Sequence, residues 1–210
     1  MINQALDFAS AVIIFMLAVA IHESAHAFAA DKMGDPTARY LGRITLNPIP
    51  HIDLIGTIIV PILGYFAGFI IGWAKPCPVN PYNFQNPRRD QMIVAFAGPL
   101  SNILLASITS LIFIVISYTM ALKGSFVESF FARMIFINVI LAIFNLIPVP
   151  PLDGSWILEG LMPRSWEPAY RQIKPYGFMI LLILMVTGLL WYIVGPLASL
   201  LFYLLTILWH

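Results

Sequence analysis

Charged side chains are scarce in this sequence. Of its 210 residues, 10% are Asp, Glu, Lys or Arg and 60% are hydrophobic, whereas an average soluble domain carries about 25% charged residues. Ten acidic and eleven basic side chains could not cover the surface of a soluble domain of this length. The shortage of charge therefore excludes a soluble globular enzyme and a disordered tail, and it indicates an integral membrane protein.

Cysteine and excess positive charge are also nearly absent. The formal net charge of +1 provides no electrostatic footprint for DNA or RNA, so we expect no nucleic-acid partner. The single cysteine, Cys77, excludes a disulfide framework. No basic region precedes the first apolar run, so we expect no cleaved signal peptide and a first helix that stays in the mature protein.

Charge-free runs divide the chain into candidate membrane spans, each of which needs about 20 apolar residues. Four runs contain no Asp, Glu, Lys or Arg: residues 54–74, 91–122, 134–152 and 175–210. Residues 1–30 form a fifth run, which Asp7 and Glu23 interrupt. The last run is too long for one helix, and Gly188 and Gly195-Pro196 favour a break within it. The pattern predicts five to six transmembrane helices.

The connection after the first helix differs from a simple loop. Residues 39–46 and 57–60 contain side chains that favour strands, and residues 54–74 contain one proline and four glycines. We therefore predict an all-α polytopic membrane protein with a short β-strand or re-entrant element near its functional site. Residues 1–174 would form the core, and residues 175–210 would form C-terminal helices of the same compact domain.

Three ionisable residues lie inside the first apolar run: His22, Glu23 and His26. Residues four apart share a helix face, so the two imidazoles can bind one metal ion. Zinc binds imidazole readily, and a catalytic site keeps one position for water, from which Glu23 could take a proton. Unpaired ionisable groups at this depth cost at least a few kcal/mol each. A zinc site is therefore a better interpretation than an accidental match.

A catalytic zinc site usually has a third protein ligand. The candidates are His51, Asp53, Glu128, Asp153, Glu159 and His210. Asp153 is favoured because it ends the charge-free run, follows Pro148-Val149-Pro150-Pro151 and precedes Gly154. Prolines that open the chain at the end of a helix can aim such a carboxylate back into the bundle. On its own, an aspartate in this setting is more often a turn or cap residue.

Five segments, in this order, resemble the site-2 protease family of intramembrane zinc metalloproteases: HESAH (22–26), HIDLIGTIIVP (51–61), GWAKPCPVNP (72–81), FAGPLSN (96–102) and FNLIPVPPLDG (144–154). The resemblance is to compact, PDZ-less, prokaryotic-type members. It implies one Zn²⁺ per chain, held by His22, His26 and Asp153, with Glu23 as the catalytic carboxylate. It also implies that Asn145 holds the substrate backbone or stabilises the oxyanion. The implied reaction is regulated intramembrane proteolysis of transmembrane proteins in a prokaryotic cell membrane.

Further candidates for substrate contact are Asn102, Asn138, Gly56 and Thr57. Intramembrane amides more often form hydrogen bonds between helices, so this alternative stays open for the two asparagines. An unwound substrate could also pair with a strand edge at residues 39–46 or 57–60. Cys77, which lies between Pro76 and Pro78, is interpreted as inert.

Three other functions are weaker interpretations. A metal transporter would be expected to have a second ligand cluster or an internal repeat, and the sequence has neither. A haem-binding bundle is excluded because His22 and His26, on one helix face, cannot provide both axial ligands. An inactive relative does not explain the intact motif. Membrane orientation stays open, because lysine and arginine divide five against six between the two sides. Whether residues 175–210 gate substrate entry stays open as well.

Overall fold

The computed structural model describes residues 2–60, 73–118, 120, 122 and 124–209. These residues form eight α-helices, which are α1 (Ile2–Lys32), α2 (Thr37–Tyr40), α3 (Pro87–Ser117), α4 (Phe126–Asn145), α5 (Asp153–Leu161), α6 (Glu167–Ile173), α7 (Gly177–Val186) and α8 (Leu189–Thr206). A π-helix spans Leu54–Ile59, and short 3₁₀ turns occur in the connections. The prediction of a helical protein is confirmed.

Four helices of the described part are long and apolar enough to cross a membrane: Ala9–Lys32, Pro87–Ser117, Phe126–Asn145 and Leu189–Trp209. The chain is accordingly an integral membrane protein. The predicted total of five to six spans is not confirmed. Helix α7 has only 10 residues, and residues 61–72 of the predicted second span lie outside the described part.

The predicted strand is not confirmed, because the described ranges contain no strand. Residues 39–40 end α2 and turns follow them, while residues 57–59 belong to the π-helix. The Asp53 carboxylate accepts a hydrogen bond from the Gly56 N–H at 2.7 Å and so caps this helix. Neither of these described segments therefore offers the expected strand edge.

Small side chains allow α1 to pack closely against α3. Ala18, Ala20, Ala27 and Ala30 of α1 are fully buried, and close approach through small residues is how helices associate where lipid removes the hydrophobic driving force. Helices α3, α4 and α8 form a second contact through buried Ala106, Ile135, Val139 and Ala198. These contacts fix α1, α3 and α4 around the polar residues described below.

A left-handed glycine breaks the C-terminal run as predicted. Gly188 has φ of 74° and separates α7 from α8, a conformation that glycine adopts without a steric penalty. Pro196, in contrast, lies inside α8 and does not end it. Whether residues 175–210 gate substrate entry stays open.

Candidate metal centre

Two helices bring His22, His26 and Asp153 together. Both histidines lie on one face of α1, and Asp153 is the first residue of α5. The two Nε2 atoms are 3.0 Å apart. Oδ2 of Asp153 lies 3.1 Å from Nε2 of His22 and 3.3 Å from Nε2 of His26. The described residues contain one group of three side chains that could hold a metal ion, and it is this one.

Hydrogen bonds at the far side of each imidazole fix its tautomer. Nδ1 of His26 lies 2.8 Å from the carbonyl oxygen of Val94, which can only accept, so Nδ1 carries the hydrogen. Nδ1 of His22 donates to Oδ1 of Asn102 at 2.6 Å, because Nδ2 of Asn102 donates to the Ala18 carbonyl and to Asn138. In neutral imidazoles both Nε2 atoms are then lone-pair acceptors that face each other.

This donor set fits a zinc ion. Three acceptor atoms converge on one point, and Oδ2 of Asp153 is buried without a hydrogen-bond partner in the described part of the chain. Such an arrangement is repulsive unless a cation lies between the acceptors. Bonds of about 2.0–2.1 Å in a tetrahedron separate ligand atoms by about 3.3 Å, close to the separations observed here. The donor set therefore fits Zn²⁺, and the three side chains would be its ligands.

A cavity of about 350 Å³ adjoins the centre. Its wall contains the three candidate ligands together with Glu23, Asn145, Cys77 and other residues. Oε2 of Glu23 accepts a hydrogen bond from the backbone N–H of Cys77 at 2.7 Å. The carboxylate therefore lies beside the candidate ligands in a cavity large enough to hold water.

Asn145 and Asp153 reach the cavity from opposite ends of one connection. Asn145 is the last residue of α4, and its Nδ2 donates to the Leu141 carbonyl at 3.0 Å. A Cβ atom on Gly154 would lie 2.2 Å from the Leu146 carbonyl oxygen. Glycine at this position thus lets α5 begin directly against the end of α4, which brings the two polar side chains into the same cavity.

The predicted third-ligand alternatives that the structure describes lie elsewhere. Oε2 of Glu159 lies 2.5 Å from Nζ of Lys174, Glu128 binds the backbone of Gly124, and Asp53 caps the π-helix. His51 is buried, and its Nε2 lies 3.1 Å from the Thr45 carbonyl oxygen. Burial lowers the pKa of His51, which keeps it neutral. His210 lies outside the described residues.

The four predicted substrate contacts do not line the cavity. Asn102 and Asn138 are fully buried, and they form a hydrogen bond to each other at 2.8 Å. The two asparagines thus bond between helices, which was the alternative to substrate contact. Thr57 donates to the Trp73 carbonyl at 2.8 Å, and a Cβ atom on Gly56 would lie 2.4 Å from the Trp73 indole. These two residues hold Trp73, and their arrangement does not support substrate contact.

Sequence reasoning missed Gly98 and the position of Cys77. A Cβ atom on Gly98 would lie 2.4 Å from Nε2 of His26, so α3 can approach the histidines only with glycine there. The Gly98-Pro99 pair within an apolar run was the available signal. Burial, and next the charge of Glu23, raises the pKa of the Cys77 thiol to about 12. The Cys77 thiol is not part of the group of side chains that could hold a metal ion, but the backbone N–H of Cys77 contacts Glu23.

Comparisons with known proteins agree with this chemistry. The sequence model of peptidase family M50 matches residues 10–125 and 115–188. YwhC of Bacillus subtilis (strain 168), named as a zinc metalloprotease, is 40% identical over 192 residues, which cover 90% of this chain and 85% of YwhC. Rip2 of Mycolicibacterium smegmatis, also named as a zinc metalloprotease, is 28% identical over 176 residues, which cover 82% of this chain and 65% of Rip2.

Rip2 of Mycobacterium tuberculosis (strain H37Rv) is 26% identical over 174 residues, which cover 81% of this chain and 64% of that relative. No solved structure matches the chain at a significant level. The family match covers most of the chain and includes every residue of the candidate metal centre. The chain therefore belongs to peptidase family M50, the site-2 protease family, and is a zinc metalloprotease.

Proposed function

We propose that this zinc metalloprotease hydrolyses peptide bonds of transmembrane proteins within the bilayer of a prokaryotic cell. One observation carries the proposal. The candidate ligands His22 and His26, and Glu23 between them, lie on an apolar helix long enough to span a membrane. Ionisable residues at such a position are expensive unless they serve a function, and a peptide bond cleaved here would lie at membrane depth.

Two histidines and an aspartate would hold the zinc ion in this proposal. When bound, zinc polarises the scissile carbonyl and lowers the pKa of water. The neutral tautomer needed for binding is the one that Asn102 and the Val94 carbonyl favour, because both accept the Nδ1 hydrogens. These two hydrogen bonds orient the imidazoles so that both Nε2 atoms face the proposed metal position.

Glu23 acts as the general base and then as the general acid. Its carboxylate lies in the cavity beside the candidate ligands. In the proposed reaction it takes a proton from the attacking water and delivers that proton to the leaving amine. The Cys77 N–H occupies Oε2, which leaves Oε1 for the proton.

Asn145 is the proposed donor to the oxyanion. A side-chain amide has two N–H hydrogens, and the Leu141 carbonyl accepts one of them. The second hydrogen can therefore bind the negative charge that develops on the scissile oxygen. Because the carbonyls of a transmembrane helix are bonded internally, the substrate must unwind locally before it reaches these groups.

The test is cleavage of a model transmembrane substrate by the purified, zinc-loaded protein in lipid vesicles. The Glu23→Gln variant, prepared at equal zinc content, is the matched comparison because it keeps the shape of the side chain but removes the base. We expect cleavage by the original protein and a loss of at least 10³-fold in the variant, roughly the effect of removing both proton transfers. Cleavage that persists in Glu23→Gln would contradict the mechanism, and zinc flux without cleavage would favour a transporter.

A further inference from the structure

The proline loop, which we define as residues 73–80, supplies Glu23 with its hydrogen bond. Pro76 and Pro78 have no amide hydrogen, so Cys77 provides the one N–H of this Pro-Cys-Pro sequence. That N–H donates to Oε2 of Glu23 at 2.7 Å. If the loop shifts by one residue, neither neighbour of Cys77 can donate to Glu23 in its place, because both are prolines.

Arg43 binds the other side of the same peptide group. Its guanidinium donates to the Pro76 carbonyl at 3.2 Å, to the Pro50 carbonyl at 2.7 Å and to the Lys75 carbonyl. The Pro76 carbonyl and the Cys77 N–H belong to one planar peptide unit, in which they point in opposite directions. A cation therefore lies at one end of this unit and the carboxylate of Glu23 at the other.

The buried positive charge of Arg43 has no carboxylate partner among the described residues. The side chain is only 5% exposed, and no carboxylate of the described part forms an ion pair with it. A buried charge without an opposite charge is expensive. Hydrogen bonds in a chain polarise one another, so the guanidinium strengthens the Cys77 N–H as a donor and is itself linked to the negative charge of Glu23.

We propose that Arg43 is a positioning residue, which acts on Glu23 through the Pro76–Cys77 peptide group. It holds that peptide so that the N–H fixes Oε2 and leaves Oε1 directed at the attacking water. The proposal rests on the proposed function, because it assigns Arg43 to the general base of that reaction. It predicts that substitution of Arg43 lowers kcat more than a substitution that only loosens the proline loop.

Substitution of Asp35 provides a control that loosens the proline loop without removing Arg43. It is fully buried and accepts hydrogen bonds from the backbone N–H of Asn80 and from Nδ2 of Asn83, each at 2.7 Å. Asp35 thus anchors the far end of the proline loop without touching the Pro76–Cys77 peptide. Loss of this anchor loosens the loop but leaves the link between Arg43 and Glu23 in place.

The experiment measures kcat and KM for a model transmembrane substrate, together with zinc content and Tm, in four variants. They are Arg43→Gln, Arg43→Lys, Asp35→Asn and Arg39→Gln. We expect Arg43→Gln to lower kcat about 10- to 100-fold, with KM within about twofold and zinc content unchanged. Arg43→Lys should recover part of the loss because it keeps the charge. Arg39→Gln should stay within about twofold, because Arg39 is exposed and pairs with Asp31.

Any of three results would overturn the proposal. The first is a kcat in Arg43→Gln equal to that of the original protein, and the second is a fall in kcat no larger than that of Asp35→Asn when the two variants have the same Tm. The third is a kcat in Arg43→Lys as low as that in Arg43→Gln. Failure of the proposed function is distinguishable, because the zinc-loaded original protein would then cleave nothing.

A second measurement applies if Arg43→Gln does not fold. Glu23→Asp shortens the carboxylate by one methylene and weakens its bond to Cys77. Arg43→Lys should therefore lower kcat by a smaller factor in the Glu23→Asp background than in the original protein. Equal factors in both backgrounds would mean that the two residues act independently, which contradicts the proposal.

Discussion

Oδ1 of Asn102 accepts the Nδ1 hydrogen of His22 at 2.6 Å, although the two residues are 80 positions apart in the chain. The Asn102 amide cannot rotate away, because its Nδ2 donates to the Ala18 carbonyl at 3.1 Å and to Asn138 at 2.8 Å. Asn138 is held in turn by its hydrogen bond to the Met134 carbonyl. Three helices thus orient one imidazole, and such partners tune a metal-ligating histidine.

Asn102→Ala should weaken zinc binding about 10- to 100-fold, because His22 loses the acceptor that fixes its tautomer and ring orientation. Competition with a chelator of known affinity measures the change. Ser101→Ala is the matched control on the same helix, because Ser101 donates only to the Gly98 carbonyl. The role of Asn102 would be refuted by equal zinc affinities in Asn102→Ala and the original protein.

Gly98→Ala should lower both zinc content and proteolysis. The added methyl group would lie 2.4 Å from Nε2 of His26 and 2.6 Å from Cε1 of His22, so an imidazole or α3 must move. Zinc content after purification measures displacement of an imidazole, and the Tm of the zinc-loaded protein measures displacement of α3. Gly195→Ala is the control, because nothing lies within 4 Å of its added methyl group. Full zinc content in Gly98→Ala would show that the histidines tolerate the displacement.

The sequence predicted the candidate ligands because of their local spacing and setting. His22 and His26 are one helical turn apart, and prolines precede Asp153 where a charge-free run ends. Charged residues are conspicuous in so apolar a chain, so their positions were informative. Zinc and the protease family are confirmed by the relatives, whereas the roles of the individual residues stay proposals.

The rest depends on contacts that are distant in sequence. The bond between Cys77 and Glu23 joins residues 54 positions apart, and no pattern in either segment indicates it. The strand prediction was wrong for residues 57–59, because side-chain preference for strands competes with the cap that Asp53 forms three residues before Gly56. Strand preference depends strongly on context, so side-chain type alone does not indicate that Asp53 caps a helix here.

Asp35→Asn should destabilise the protein at neutral pH and destabilise it less in acid. Burial alone would raise the pKa of Asp35, but hydrogen bonds from Thr37, Asn80 and Asn83 outweigh burial and lower it. A lowered pKa in the folded state means that the carboxylate contributes its full stability above the unfolded value of about 4. That contribution is lost as the pH falls through the folded pKa.

Thermal unfolding in vesicles between pH 7 and pH 3 tests this dependence. The Tm difference between Asp35→Asn and the original protein should be largest at pH 7 and should shrink below about pH 4. Glu167→Gln is the control, because Glu167 forms only an i, i+4 pair with the exposed Arg171 and should change stability by at most about 0.5 kcal/mol. A Tm difference that is constant with pH would contradict the assignment to Asp35.

Asn145→Ala should lower kcat about 10²- to 10³-fold while KM and zinc content stay unchanged. The side chain lies in the cavity beside Glu23 and Asp153, and its free amide hydrogen would bind the oxyanion only as negative charge develops. An interaction made only in the transition state affects kcat rather than substrate binding. Steady-state kinetics with metal analysis distinguish this outcome from damage to the metal centre.

The control for Asn145→Ala is Ser107→Ala. Ser107 donates to the Ile103 carbonyl at 2.8 Å, as Asn145 does to Leu141, but it does not line the cavity. Both substitutions remove a side-chain bond to a helix carbonyl, so a fall in kcat common to both would be a packing effect. A fall in Asn145→Ala alone, at full zinc content, is the result expected of an oxyanion donor. Unchanged kcat in Asn145→Ala would leave the oxyanion to backbone N–H groups or the metal, and Asn145 would have no role in the chemical step.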